Sequence, residues 1–169
     1  ALAQVGSEGE VAIAAADIST GRFEVVAVRP EQVDAELARL APSELLVTES
    51  ADAVPEWVAR QVVRRPQSDF WRTAAQKRLE TFFGVQTLDG FGQFGRGELA
   101  AMGALVAYLD HVATGQPIFL QRPLKHQASG HMAIDAATRE SLELVRTMAG
   151  GRDGSLLGTI DRTVTAAGA

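Results

Sequence analysis

The stretch Val11 to Val28, VAIAAADISTGRFEVVAV, constrains the fold more than any other part of the chain. Val11, Ile13 and Ala15 alternate with Ala12, Ala14 and Ala16, and after a break Phe23, Val25 and Ala27 alternate with Glu24, Val26 and Val28. A period of two is the signature of a strand. Ser19-Thr20-Gly21 between the halves suits a short hairpin loop, with Gly21 supplying a residue of positive φ. The stretch therefore predicts a β-hairpin that seeds a mixed sheet, to which helices and one or two further strands are added.

The ten residues before it are small and polar, and read as a frayed lead-in. Pro30 stands where a helix starts, Val33, Leu37 and Leu40 follow at helical spacing, and Pro42 ends the run. Leu45-Leu46-Val47 has the length of a buried parallel strand, so the opening topology reads β-β-α-β. Pro55 opens a second helical pattern with Trp57, Val58 and Val62 as its apolar face. A third, capped by Ser68 or Asp69, runs to Phe83 with Ala75, Leu79, Phe82 and Phe83 inward and Gly84 as its C-terminal residue. Leu88 to Gly97 is a glycine-rich loop. Glu98 to Val112 is the clearest helix, with Leu99, Met102, Leu105, Val106, Leu109 and Val112 on one stripe, and Thr114 to Pro117 ends it.

Beyond this helix the periodicity fades. Ile118 to His131 reads as a linker, and Met132 to Ile134 as a short extended piece. Asp135 is a natural cap for a helix that carries Leu142, Val145 and Met148 and stops at Gly150-Gly151. Ser155 caps a last short helix through Ile160.

At 169 residues with 46% hydrophobic content, the chain has enough apolar material for a core. Its net charge of −5 is opposite in sign to that of a free-standing nucleic-acid binder. With no cysteine, disulfides, thiolate zinc sites and cysteine nucleophiles are excluded, and the composition fits a cytoplasmic protein. No apolar run has the roughly 18–20 residues that a membrane span needs. The first residue is Ala, and the chain stops at Ala-Ala-Gly-Ala, as an excised piece of a longer protein would.

Four groups of residues invite a chemical reading. Gly90 to Gly95 matches G-x-G-x-x-G, but Val85 to Leu88 is too short and polar for the strand a dinucleotide fold needs before it, so a loop anchored by two phenylalanines is the plainer reading. Asp17 ends a strand, and an RNase H-type nuclease carries a metal-binding carboxylate on its first strand. Such a site needs several carboxylates converging on two cations. Glu44, Glu49, Asp69 and Glu80 are the further options, while the plainer role for Asp17 is to bond the backbone of its own turn. His111, His126 and His131 are neither at i, i+4 spacing nor beside an acid cluster, which argues against a metal site. Arg60, Arg64, Arg65, Arg72, Lys77 and Arg78 concentrate positive charge in the middle third, either to meet phosphate or an acidic partner or, the more ordinary reading, as a solvated helix face.

The ordered motifs DISTGRF (Asp17 to Phe23), LAPSELL (Leu40 to Leu46), FFGV (Phe82 to Val85), LDGFG (Leu88 to Gly92), AAMGALVAYL (Ala100 to Leu109), DAATRESLEL (Asp135 to Leu144) and LLGTIDRTVTAAGA (Leu156 to Ala169) resemble the bacterial MutS family of DNA mismatch-recognition ATPases. Ile160 stands where the family motif has leucine. The resemblance implies an α/β fold, an RNase H-like mixed sheet flanked by helices and followed by a partial all-α core segment. It divides the chain into a connector domain over residues 1–115 and, over 116–169, a linker with the start of the helical core or lever domain. It implies a non-catalytic piece that couples mismatch binding to the ATPase domain and offers a docking surface to MutL. Mismatched DNA would be reached only through the full-length protein, whose other domains bind ATP and Mg; this piece would hold no cofactor and no metal. On the helix Thr73 to Phe83, the outward residues Gln76, Lys77, Arg78 and Glu80 are the expected partner-binding set. The rival expectation is an RNase H-like metal-dependent nuclease built on Asp17. The end of the chain, from Thr163 to Ala169, is expected to fray.

Overall fold

In a computed structural model, the described residues are 2–5, 9–51, 54–113, 117–127, 134 and 136–163. The hairpin forms as its alternation predicts: β2 (Val11–Asp17) pairs antiparallel with β3 (Arg22–Val28), from Val11 opposite Val28 to Asp17 opposite Arg22. Gly21 takes φ 73° in the turn, a conformation that side chains with a Cβ rarely adopt.

The lead-in is not frayed over its whole length. Leu2–Val5 is a strand, β1, antiparallel to β2 and parallel to β4 (Leu45–Thr48). Four residues are too few to show a period, and what makes them a strand is a neighbour on each side. The opening topology is therefore β-β-β-α-β. The helix after Pro30 is α1 (Val33–Leu40); it ends on Ala41 in the left-handed region, and Pro42 follows.

Pro55 opens a 3₁₀ turn over Glu56–Gln61 rather than an α-helix. Val58 is buried, Trp57 is exposed, and Val62 begins a strand, β5 (Val62–Arg65), parallel to β4. A second 3₁₀ turn, Gln67–Phe70, precedes α2 (Arg72–Phe83). Trp71, not Ser68 or Asp69, is the N-terminal boundary residue of α2, because the Asp69 carboxylate is held by Arg65 at 3.0 Å. Gly84 ends α2, as expected.

The long helix is α3 (Arg96–Val112), starting two residues before the expected Glu98. Past it, Leu124–Gln127 forms a strand, β6, parallel to β3. The complete sheet runs β5-β4-β1-β2-β3-β6, a three-stranded meander continued by parallel strands, with helices on both faces. This is the α/β arrangement that the resemblance implies.

The helix expected to run to Met148 is only α4 (Ala136–Ser141), which lies against α1. Leu142, Val145 and Met148 are exposed: among the described residues no element covers them to reward a longer helix, and Glu143 turns the backbone to φ 47°. Ser155 caps α5 (Leu156–Ile160) by accepting the Gly158 N–H at 3.0 Å. Expectations for Thr114 to Gln116, for Met132, Ala133 and Asp135, and for the end past Thr163 lie outside the described residues.

The alternation of the strands divides the core. Ala12, Ala14, Phe23, Val25 and Leu46 face α2 and α3, while Val11, Ile13, Val26, Val28, Leu45 and Val47 face α1 with its Leu37. The helices α2 and α3 cross where Gly103 meets Ala75. A Cβ built on Gly103 would lie 2.3 Å from the Ala75 Cβ, which no packing tolerates. Gly103→Ala must push the two helices apart and is expected to destabilise the chain by about 1–3 kcal/mol. A urea midpoint unchanged from wild type would show that the helices accommodate the methyl group.

Candidate functional site

The expected partner-binding residues all lie on α2, but the fold divides them into two flanks. Ala75 and Leu79 face the core, which sets the rotation of the helix. Gln76 and Glu80, four residues apart, are half-buried and bonded to each other at 2.9 Å. Lys77 is exposed. Together with Ala74, Arg78, Thr81, Phe82 and Asp110 it lines an open groove of about 600 Å³ along the outer side of α2 and α3. Apolar Ala74 and Phe82, with one cation and one carboxylate exposed beside them, make a surface that fits a partner side chain and its charge.

Arg78 is less available than its place on the helix suggests. Its guanidinium donates to the carbonyls of Gly103 at 2.9 Å and Asp69 at 3.3 Å, so it ties α2 to α3 and to the turn before α2. Other members of the positive cluster are also used internally. Arg64 donates to the carbonyls of Glu49 at 3.1 Å and Ala51 at 3.2 Å, closing the loop after β4. Arg65 holds Asp69 at 3.0 Å and lies 5.9 Å from the Tyr108 ring centroid. Arg60, Arg72 and Lys77 remain on the exposed surface.

Asp17 sits in the tip of the hairpin. Its Oδ1 accepts from the Ser19 N–H at 2.9 Å and the Ser19 hydroxyl at 2.6 Å, and its Oδ2 from the Thr20 hydroxyl at 2.8 Å. These bonds, first those from the Ser19 and Thr20 hydroxyls, lower its pKa to about 2. The carboxylate is thus committed to its own turn. It also belongs to the second strand of the sheet, whereas the first strand, Leu-Ala-Gln-Val, carries no acid. The other carboxylates that the nuclease reading needs are dispersed. Glu44 accepts from Tyr108, Asp69 from Arg65 and Glu80 from Gln76. Among the described residues, no three acidic, His or Cys side chains gather where they could hold a metal ion.

Gly90 to Gly95 follows no strand: a short 3₁₀ turn, Asp89–Phe91, leads into the N-terminus of α3. Of the histidines, His111 is exposed near the end of α3 and His126 lies in β6; His131 is outside the described residues.

The charged side chains that the fold buries were not singled out by the sequence patterns. Glu24 stands in β3 on the face that Val26 and Val28 also occupy, and its side chain is 7% exposed. Arg22 at 2.7 Å and Arg39 at 3.1 Å pair with its two oxygens, and His126 Nε2 lies 3.0 Å from Oε2, off the angle of a hydrogen bond. Burial pushes the Glu24 carboxyl up; Arg39 and then Arg22 outweigh burial and hold it below its ordinary value of 4.5. Glu98, in the first turn of α3, is 3% exposed. Its Oε2 accepts from the Gly95 N–H at 2.6 Å and from Lys125 Nζ at 2.8 Å, while Oε1 is buried without a hydrogen-bond partner. For Glu24, the available signal was a carboxylate inside a strand whose flanking residues on both faces are apolar.

Comparison with known proteins places these features in a family. A family model described as MutS domain II matches residues 1–118. The curated DNA mismatch repair protein MutS of Paracoccus denitrificans is 48% identical over 162 residues, covering 95% of this chain and 18% of that protein. That of Zymomonas mobilis is 46% identical over 171 residues, covering 100% and 19%, and that of Cereibacter sphaeroides is 49% identical over 164 residues, covering 95% and 18%. The chain thus spans about a fifth of the length of these relatives.

The Glu24 pairing has a pH signature. A carboxyl whose folded pKa is depressed contributes stability that is present above its unfolded value and is lost as pH falls through the folded one. Glu24→Gln removes that contribution. It is expected to cost about 1–3 kcal/mol at pH 7, and the gap to wild type narrows below pH 4.5. Urea midpoints measured from pH 7 to pH 3 check this; a gap independent of pH would sink the assignment.

Proposed function

Because the chain belongs to the MutS family and carries its domain II, we propose that it is a non-catalytic connector and lever piece of a mismatch-recognition ATPase. In this reading it couples the mismatch-binding and ATPase regions of a longer protein and offers the outer side of α2 to MutL. Mismatched DNA is met through the rest of that protein, ATP and Mg bind in its other domains, and the whole works in the cytoplasm. No helix among the described residues is long and apolar enough to cross a membrane.

One observation carries the docking part: the groove beside Lys77. It joins apolar lining from Ala74 and Phe82 to an exposed cation, beside a core that holds α2 rigid through Ala75, Leu79 and Gly103. A rigid helix face with a mixed apolar and charged rim binds a partner at low entropic cost. The non-catalytic part is supported by Asp17, whose oxygens are taken up by Ser19 and Thr20.

Lys77→Glu in the full-length protein tests the proposal. Arg78 is left in place, since reversing it would also break its bonds to Gly103 and Asp69. We expect MutL recruitment, followed by calorimetry, to weaken about fivefold at low salt and less at higher salt. Mismatch affinity should not change. Unchanged recruitment would remove α2 from the docking surface.

A further inference from the structure

Residues 119–127 run beside the hairpin turn and β3, from Gly21 to Ala27. Phe119 packs over Gly21, where a Cβ would come within 3.1 Å of its ring. Gln121 donates its N–H to the Gly21 carbonyl at 2.7 Å and its side-chain amide to the Thr20 carbonyl at 3.2 Å. Leu120 is buried in the core below α3. β6 then pairs in parallel with Glu24 to Ala27. It is the last strand of the sheet and only four residues long, with Leu124 56% exposed. A short edge strand with little apolar burial belongs to the least protected part of a fold.

One side chain, Lys125, compensates for this. Successive residues of a strand point to opposite faces. Lys125 reaches the α3 face, where its Nζ lies 2.8 Å from Glu98 Oε2 and 3.0 Å from the Gln93 carbonyl. His126 reaches the α1 face, 3.0 Å from Glu24 Oε2. β6 is therefore pinned to the buried Glu98 on the α3 face, while on the α1 face His126 abuts Glu24 without a hydrogen bond. The two carboxylates differ in what they keep when β6 leaves. Without β6, Glu24 keeps Arg22 and Arg39. Glu98 keeps only the Gly95 N–H, because Lys125 is the cation paired with it among the described residues. A carboxylate 3% exposed and stripped of its cation is strongly unfavourable, so Glu98 holds the strand in place.

We propose that residues 119–127 form a charge-latched strap, closed by Lys125 on Glu98, that ties the helical segment of α4 and α5 to the sheet and opens as one unit. Lys125 sits within the four-residue pairing of β6 with β3, so its release loosens that whole short ladder. The strap is one route by which a displacement of the helical segment would reach the sheet, beside the contact of α4 with α1, and it stands independently of any docking on α2.

Amide hydrogen exchange on the whole chain tests this with Lys125→Met, Glu98→Gln and the double variant. In Lys125→Met, exchange across 119–127 should rise about tenfold while α2, α3 and β2 keep their protection. In the double variant, the neutral amide that replaces the Glu98 carboxylate still accepts from the Gly95 N–H and no longer needs a cation, so exchange should return toward wild type. The strap is refuted if Lys125→Met leaves exchange unchanged. It is equally refuted if protection falls uniformly along the chain, or if the double variant exchanges as fast as the single.

Discussion

Strand β2 must be covered on both faces, and most of the fold follows from that requirement. Val11, Ala12, Ile13 and Ala14 are 7%, 3%, 1% and 0% exposed, so neither side of the strand tolerates water. The two sides differ in size. Ala12 and Ala14 leave a shallow surface into which α3 can sink through its own small residues, Ala101 and Ala104. Val11 and Ile13 present a bulkier surface to α1, which meets it with Leu37. The hydrophobic effect supplies roughly 1.5–3 kcal/mol for each large side chain enclosed this way. Close approach then propagates outward. Once α3 lies on the alanine face, Gly103 lets α2 come near enough for Arg78 to reach the Gly103 carbonyl.

That compactness changes how the charges are read. In one dimension, the basic residues of the middle third look like a surface for an acidic partner. In three dimensions Arg64, Arg65 and Arg78 are ties that close loops and fasten helices. The positive charge that this cluster leaves on the exposed surface is smaller, carried by Arg60, Arg72 and Lys77, with Lys77 beside the groove lined by Ala74 and Phe82. The charges of greatest structural consequence are instead two carboxylates inside the apolar layers, Glu24 and Glu98. Each is accommodated because cations arrive from distant parts of the chain, Arg39 from α1 and Lys125 from β6. A buried carboxylate is acceptable only when paired and hydrogen-bonded.

Elements whose signal is local were legible. The hairpin has seven residues on each side and a glycine in its turn, α3 has a long apolar stripe, and Gly84 and Ser155 mark helix ends by their own chemistry. The bonding of Asp17 to its own turn was legible for the same reason. Of the four-residue strands, β4 was legible from its apolar run Leu45-Leu46-Val47, and the other three were not. β1, β5 and β6 have four residues each, too few for a period, and exist because another strand offers unpaired backbone beside them. Helical spacing without burial misled in the other direction. Leu142, Val145 and Met148 recur as a helix face would, yet they are 52%, 54% and 72% exposed and the helix stops before them. Periodicity names the face that could be buried, and only a neighbour rewards burying it.

The sequence by itself determined the α/β class, the hairpin, the long helix and the family resemblance. These rest on residues within about 20 positions of one another, where periodicity, turn chemistry and motif order act. Tertiary structure alone decided that the first residues join the sheet centre, that β6 continues it past α3, and that Arg78 faces inward while Lys77 faces out. It also decided that Glu98 depends on Lys125, 27 positions away. Desolvation is the reason: whether a charge or an unpaired backbone group is acceptable depends on which distant groups the fold brings within about 3 Å of it.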